Sequence, residues 1–316
     1  MSTAHELHPT GPNDVHPLLT RLVDDAALFP PGNATMLDAV RGHLVARSGP
    51  HAELVGFFLC PVSRLPELIV ELVKAKPAEP VQLSLVVNNG LGGVPKAVST
   101  VEGRRNLLQL RMVEMPAPSD VDATWLERVS EFVPEDVIRV VEPRRPGVRG
   151  AGARGAGARD VGARDVPAGS VPPERDAWLD GVRRVARHGC WPKLRCGGLQ
   201  AGTFPGVDVV ADFLAAVCAE GVPFKATAGL HHAVRYTDPD TGFTHHGFLN
   251  LLVAVARALA GLDVVGALES VDGQTLVAES GALPPASARA VRQVFASYGS
   301  CSLSEPVADL EALGML

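Results

Sequence analysis

Short apolar runs alternate with longer stretches of helical apolar spacing through most of the chain. That alternation is the pattern of βα units building a parallel sheet. Strands are predicted over 26–29, 55–60, 81–88, 107–114, 137–142, 192–196, 223–228 and 295–300. Helices are predicted over 34–46, 65–74, 94–101, 120–132, 176–188, 207–220 and 248–260. The closing SLSEPVADLEALG adds one more, with Gly314 as its stop signal. Eight strands, each followed by a helix, predict an α/β fold of the (β/α)8 TIM-barrel type, residues 1–316 forming one domain. A doubly wound open sheet is the alternative, but no GxGxxG follows the first strand.

Two inserts interrupt the alternation. Residues 144–173, RRPGVRGAGARGAGARDVGARDVPAGSVPP, repeat Gly-Ala-Arg and offer no bulky apolar residue beyond valine. Such a segment cannot bury enough apolar surface to offset ordering, so it is expected to be a disordered loop after the fifth strand. Residues 261–285 are expected to form a small helical or hairpin elaboration before the last strand.

Composition narrows the class. A chain of 316 residues that is 46% hydrophobic and 20% charged can bury a large core. A net charge of −6, with no basic stretch interleaved with aromatics, argues against a nucleic-acid partner. The polar start MSTAHELHPTGPNDVHP has no apolar signal core. The longest apolar run, 248–262, is broken by Asn250 and Arg257, so no membrane partner is expected. Five cysteines without CxxC spacing suit a reduced, cytoplasmic protein. Association into a homo-oligomer is left open.

In a barrel of this type the active site lies at the carboxyl ends of the strands. Those ends present, in order, Cys60, Asn88, Glu114, Glu142, Lys193 with Arg195, Lys225 with Thr227, and Ser300-Cys301-Ser302, with Asp24 and Asp25 just before the first. Successive apolar runs ending in ionisable residues are hard to explain by packing alone. Lys193 and Lys225 fall one βα unit apart, so their ammoniums are expected to face each other across neighbouring strands. Like charge and desolvation would both favour a neutral amine, which can attack a carbonyl and form a Schiff base. The competing reading is a structural network in which each lysine pairs with Glu114 or Glu142.

The pattern Lys193-x-x-x-Gly197, followed by Phe224-Lys225-x-x-x-Gly229, resembles the deoxyribose-phosphate aldolase type of class I aldolase. The resemblance covers about a third of the chain. It implies a (β/α)8 enzyme in which Lys193 forms the imine and Lys225 perturbs its pKa. It also implies that Gly229 and the Gly299–Ser302 turn hold a substrate anion. Leu194, Arg195 and Cys196 depart from the small polar residues of that family, and Ala228-Gly229-Leu230-His231 departs from its Gly-Gly-Ile-Arg ending. Arg195 in the mouth therefore points to an acidic substrate group held near the lysines.

Four histidines, His231, His232, His245 and His246, flank YTDPDTGFT after the seventh strand. They could serve a metal, with Cys196, Cys301, Asp238 and Glu114 as further ligands, but no HExxH or HxH is present. One of them, His231 first, could instead act as general acid or base. The expectation is a lyase or aldolase acting on a small carbonyl compound, phosphorylated or carboxylated, without a cofactor. Lys193, Lys225, Glu114, Glu142 and His231 are its catalytic candidates, and Arg195, Asn88, Gly229, Ser300, Cys301 and Ser302 its substrate-binding candidates. A metal-dependent lyase, isomerase or hydrolase built on the histidine loop, and a non-catalytic binding barrel, are the alternatives.

Overall fold

A computed structural model describes residues 16–145 and 173–316. Eight parallel strands close into a barrel: β1 (Val23–Asp25), β2 (Val55–Pro61), β3 (Val81–Val86), β4 (Leu108–Pro116), β5 (Ile138–Glu142), β6 (Trp191–Arg195), β7 (Phe224–Thr227) and, after a two-stranded hairpin β8 (Tyr236–Thr237) and β9 (Thr244–His245), β10 (Phe295–Ser300). Around the barrel the order is β1-β10-β7-β6-β5-β4-β3-β2. The helices are α1 (Met36–Ser48), α2 (Leu65–Ala75), α3 (Val94–Glu102), α4 (Ala123–Phe132), α5 (Pro173–Arg187), α6 (Val207–Glu220), α7 (Phe248–Ala260), α8 (Val264–Glu269), α9 (Gly273–Gly281), α10 (Pro285–Val294) and α11 (Ser304–Ala312). The architecture is the predicted (β/α)8 TIM barrel.

Apolar side chains fill the layer between strands and helices. One cluster, with Phe213, Phe224, Phe248, Phe295 and Tyr298, serves the half around β6, β7 and β10. A second, with Phe58, Leu83, Leu85, Val113 and Val141, serves the half around β2 to β5. The stretch Ala201–Glu220 is apolar and long enough to match a membrane span by composition; here Val210, Phe213, Leu214 and Val217 of α6 pack into that layer.

The first strand is displaced from its predicted place. It is Val23–Asp25, and 26–29 form a loop instead. Asp25 Oδ1 accepts the Ala27 amide at 3.0 Å, a local turn that ends the strand, and Pro30 and Pro31 follow, which cannot donate to a ladder. The predicted elaboration at 261–285 is helical, comprising α8 and α9. The 144–173 insert lies outside the described residues except for Arg144 and Arg145 and for Pro173, which opens α5.

Candidate active site

Lys193 on β6 and Lys225 on β7 are direct register partners. With one residue between a strand's inward positions, Lys225 also sits beside Ser297 of β10, and Ser84 lies on β3 next to Met112 of β4. Contacts between strands that are not neighbours place these side chains inside the barrel. The Lys225 ammonium meets Glu114 of β4, with two strands between, and Asp24 Oδ2 of β1 at 2.7 Å. Lys193 Nζ lies 2.7 Å from the other Glu114 oxygen, Oε2. Two carboxylates and two ammoniums thus form a neutral chain, Asp24–Lys225–Glu114–Lys193.

Each carboxylate has further neutral donors. Ser84 Oγ donates to Glu114 Oε1 at 2.6 Å, and Ser297 Oγ donates to Asp24 Oδ2 at 2.6 Å. The Phe57 amide donates to Asp24 Oδ1, also at 2.6 Å. Glu114 Oε2 is the exception, since it has no aligned hydrogen-bond donor although Lys193 is in ion-pair contact. The Lys193 ammonium neutralises that oxygen from 2.7 Å.

The electrostatics follow from this packing. Burial alone would raise the Glu114 carboxyl, but Lys193 and then Lys225 outweigh it and hold the group at about 2. Burial alone would lower the Lys225 ammonium, but Asp24 and Glu114 outweigh it and the net direction is upward. The lysines therefore do not confront each other as bare like charges. Glu114 stands between them, and Lys225 is held charged. This corrects the expectation that the lysine pair depresses Lys225, because the carboxylate from β1 lay outside the predicted strand.

Access is graded. The Lys225 side chain is 0% exposed and that of Lys193 8%. Next come Glu142 at 17% and Arg195 at 38%. Arg195 Nε donates to Glu142 Oε1 at 2.6 Å and its Nη2 to Oε2 at 3.2 Å, a side-on bidentate pair. Burial works against both charges, yet Arg195 holds the Glu142 carboxyl below its ordinary range and Glu142 raises the guanidinium. Nη1 and the far side of Nη2 are left for another anion.

The remaining candidates are dispersed. Asn88 is exposed beyond β3 and is bonded to Ser63. Gly229 has φ +72°, and a Cβ there would lie 2.9 Å from the Cys196 carbonyl and 3.0 Å from Gly197 Cα. Its lack of a side chain lets the ends of β6 and β7 close on each other. Ser300 Oγ accepts the Ser302 amide at 3.3 Å, so one amide of the expected anion turn is engaged, and Ser302 Oγ accepts the amide of Glu305 at 3.2 Å. Thr227 pairs in register with Arg195 and Gly299.

The histidines serve separate partners. His231 Nδ1 lies 3.0 Å from Glu305 Oε2 and 3.8 Å from Cys301 Sγ. His232 meets Asp309, His245 the Gly229 carbonyl, and His246 the Pro205 carbonyl. Among the described residues no three or more His, Cys, Asp or Glu side chains converge in a metal-holding group. Asp25 turns outward, to His43 of α1 at 3.1 Å. A cavity of about 320 Å³, lined by Arg145, Arg175, Trp178 and Phe204 among others, adjoins the α5 and α6 side of the barrel and touches no member of the lysine chain.

Asp24, Ser84 and Ser297 were not among the predicted site residues. A polar residue at an alternate position of an apolar strand was their signal, visible in VQLSLV and FASYGS. No family model, no curated protein and no solved structure matches the chain.

Proposed function

We propose that the chain is a lyase of the aldolase type, holding a small anionic carbonyl compound as a Schiff base on Lys193. The observation that carries this reading is the position of Glu114. It sits between two lysines, in ion-pair contact with the sealed one and with the one nearer the mouth. Lys225 cannot meet a substrate at 0% exposure, whereas Lys193 can.

Lys193, at the mouth, releases a proton to water and becomes a neutral amine, while Glu114 stays ionised beside it. The amine adds to the substrate carbonyl carbon, and the carbinolamine hydroxyl leaves as water on taking a proton back from solvent, which gives a protonated imine facing Glu114. The protonated imine draws in the electron pair of the Cα–Cβ bond as it breaks, the β-hydroxyl gives its proton to Glu142 as an aldehyde departs, and the enamine carbon takes that proton back. Hydrolysis of the imine frees the second product and restores Lys193. Lys225 stays charged and steadies Glu114, Asp24 steadies Lys225, and the free edge of Arg195 receives the substrate anion. The resemblance of Lys193-x-x-x-Gly197 and Lys225-x-x-x-Gly229 to class I aldolases supports the same assignment.

The chain has five lysines: Lys74, Lys76, Lys96, Lys193 and Lys225. Incubating it with pyruvate or with acetaldehyde and cyanoborohydride, followed by peptide mass mapping, should add a reduced imine at Lys193 that Lys193→Arg abolishes. Adducts confined to the exposed Lys74, Lys76 and Lys96 would sink the proposal and leave a structural ion network.

A further inference from the structure

A second group of reactive side chains lies apart from the lysine chain. Cys301 directly follows β10, and its Sγ is 3.8 Å from Nδ1 of His231, which follows β7. Glu305, in the first turn of α11, lies 3.0 Å from the same nitrogen. Gly32 closes the group from the first βα loop, where a Cβ would come within 3.1 Å of Cys301 Cβ. Three chain segments thus build the surroundings of this one sulfur, which keeps partial exposure, while the imidazole side chain is 19% exposed.

An imidazole gripped by a carboxylate is favoured as the cation, and a cation beside a sulfur favours the thiolate. The hydrogen bond with Cys301 works against burial and, joined by Glu305, raises His231 to about 9. Among the described residues no other cysteine sulfur is in contact with an imidazole: Cys60, Cys190 and Cys196 are buried with arginines nearby, and Cys218 is partly exposed. Burial pushes the thiols of Cys60 and Cys196 up to about 12 and that of Cys190 to about 11, and it raises Cys218 as well. The titratable groups facing the pair are Glu305 on α11 and His245 on β9, with His232 and Asp309 beside them.

We propose that Cys301, with His231 as its proton donor, is a reactive thiolate site that takes a hydroperoxide. The sulfur attacks one peroxide oxygen and forms an S–O bond as the O–O bond breaks. The leaving hydroxide takes the His231 proton and departs as water. Sulfur is oxidised by two electrons to a sulfenic acid, and the peroxide is reduced.

The test is alkylation of the full chain by iodoacetamide from about pH 5 to about pH 9, with each cysteine followed by peptide mass spectrometry. Cys301 should react about tenfold faster than Cys218 at neutral pH. His231→Gln should slow it about tenfold, because the imidazolium beside the sulfur is lost. Hydrogen peroxide followed by dimedone should tag Cys301. A Cys301 rate at neutral pH no greater than that of Cys218 in the wild-type chain, which requires no folded variant, would overturn the proposal. So would an unchanged rate in a folded His231→Gln chain, or the absence of a dimedone adduct at Cys301.

Discussion

At the scale of single residues, the decisive group is Glu114. It is fully buried, and it compensates two ammoniums with one charge. Replacing it by glutamine preserves shape and the Ser84 contact but leaves Lys193 without a carboxylate and Lys225 with Asp24 alone. Breaking a buried pair by removing one partner costs about 3–5 kcal/mol, because the orphaned charge stays in low dielectric. Glu114→Gln should therefore lower the urea midpoint severely. Asp24→Asn should cost less, since Lys225 keeps Glu114 and the Phe57 amide can still donate to the remaining side-chain carbonyl. Equal midpoints for the two variants would refute a central role for Glu114.

At the scale of elements, strands β2 to β7 and β10 were legible because alternation and strand-ending charges coincide in the same short runs. The lysine register followed from that legibility, and Lys193 does pair with Lys225. Pairing of the lysines with Glu114 was one of the two readings left open, and both do meet it. What was not legible is that one carboxylate on β4 serves both lysines and that Asp24 completes the chain from β1. Asp24 was obscured by ALFPPG, an apolar run that packs as a loop with Leu28 buried. Gly229 shows how tightly the ends of β6 and β7 are joined. An alanine there would combine a left-handed backbone with a Cβ 2.9 Å from the Cys196 carbonyl. Such conformational strain costs about 1–3 kcal/mol, and the backbone contact cannot relax as a flexible side chain would. Gly229→Ala should lower the thermal midpoint by several degrees in a circular-dichroism melt, and a wild-type midpoint would show that the two strand ends can separate freely.

At the scale of the whole molecule, three groups set how stability responds to pH. His231 is raised from 6.5 to about 9, first by its bond with Cys301, so its contribution is complete below 6.5 and disappears as pH rises through about 9. His246 is lowered from 6.5 to about 4, mainly by burial, so it favours the fold above 6.5 and loses that contribution as pH falls toward 4. Glu114, held at about 2 against an ordinary 4.5, adds a further loss as pH falls from about 4.5 toward 2. At about 1.4 kcal/mol per pKa unit, each histidine accounts for at most roughly 3–4 kcal/mol, less after solvent screening of the partly exposed His231. These opposing limbs meet where both histidines contribute fully, so the fold should be most stable near pH 6.5, slightly alkaline of the sequence pI of 5.9. Calorimetric midpoints across this range should trace a peak with two descending limbs, and His231→Gln should flatten the alkaline limb while leaving the acid one. A plateau extending to about pH 9 would mean that His231 is not held as a cation between Cys301 and Glu305.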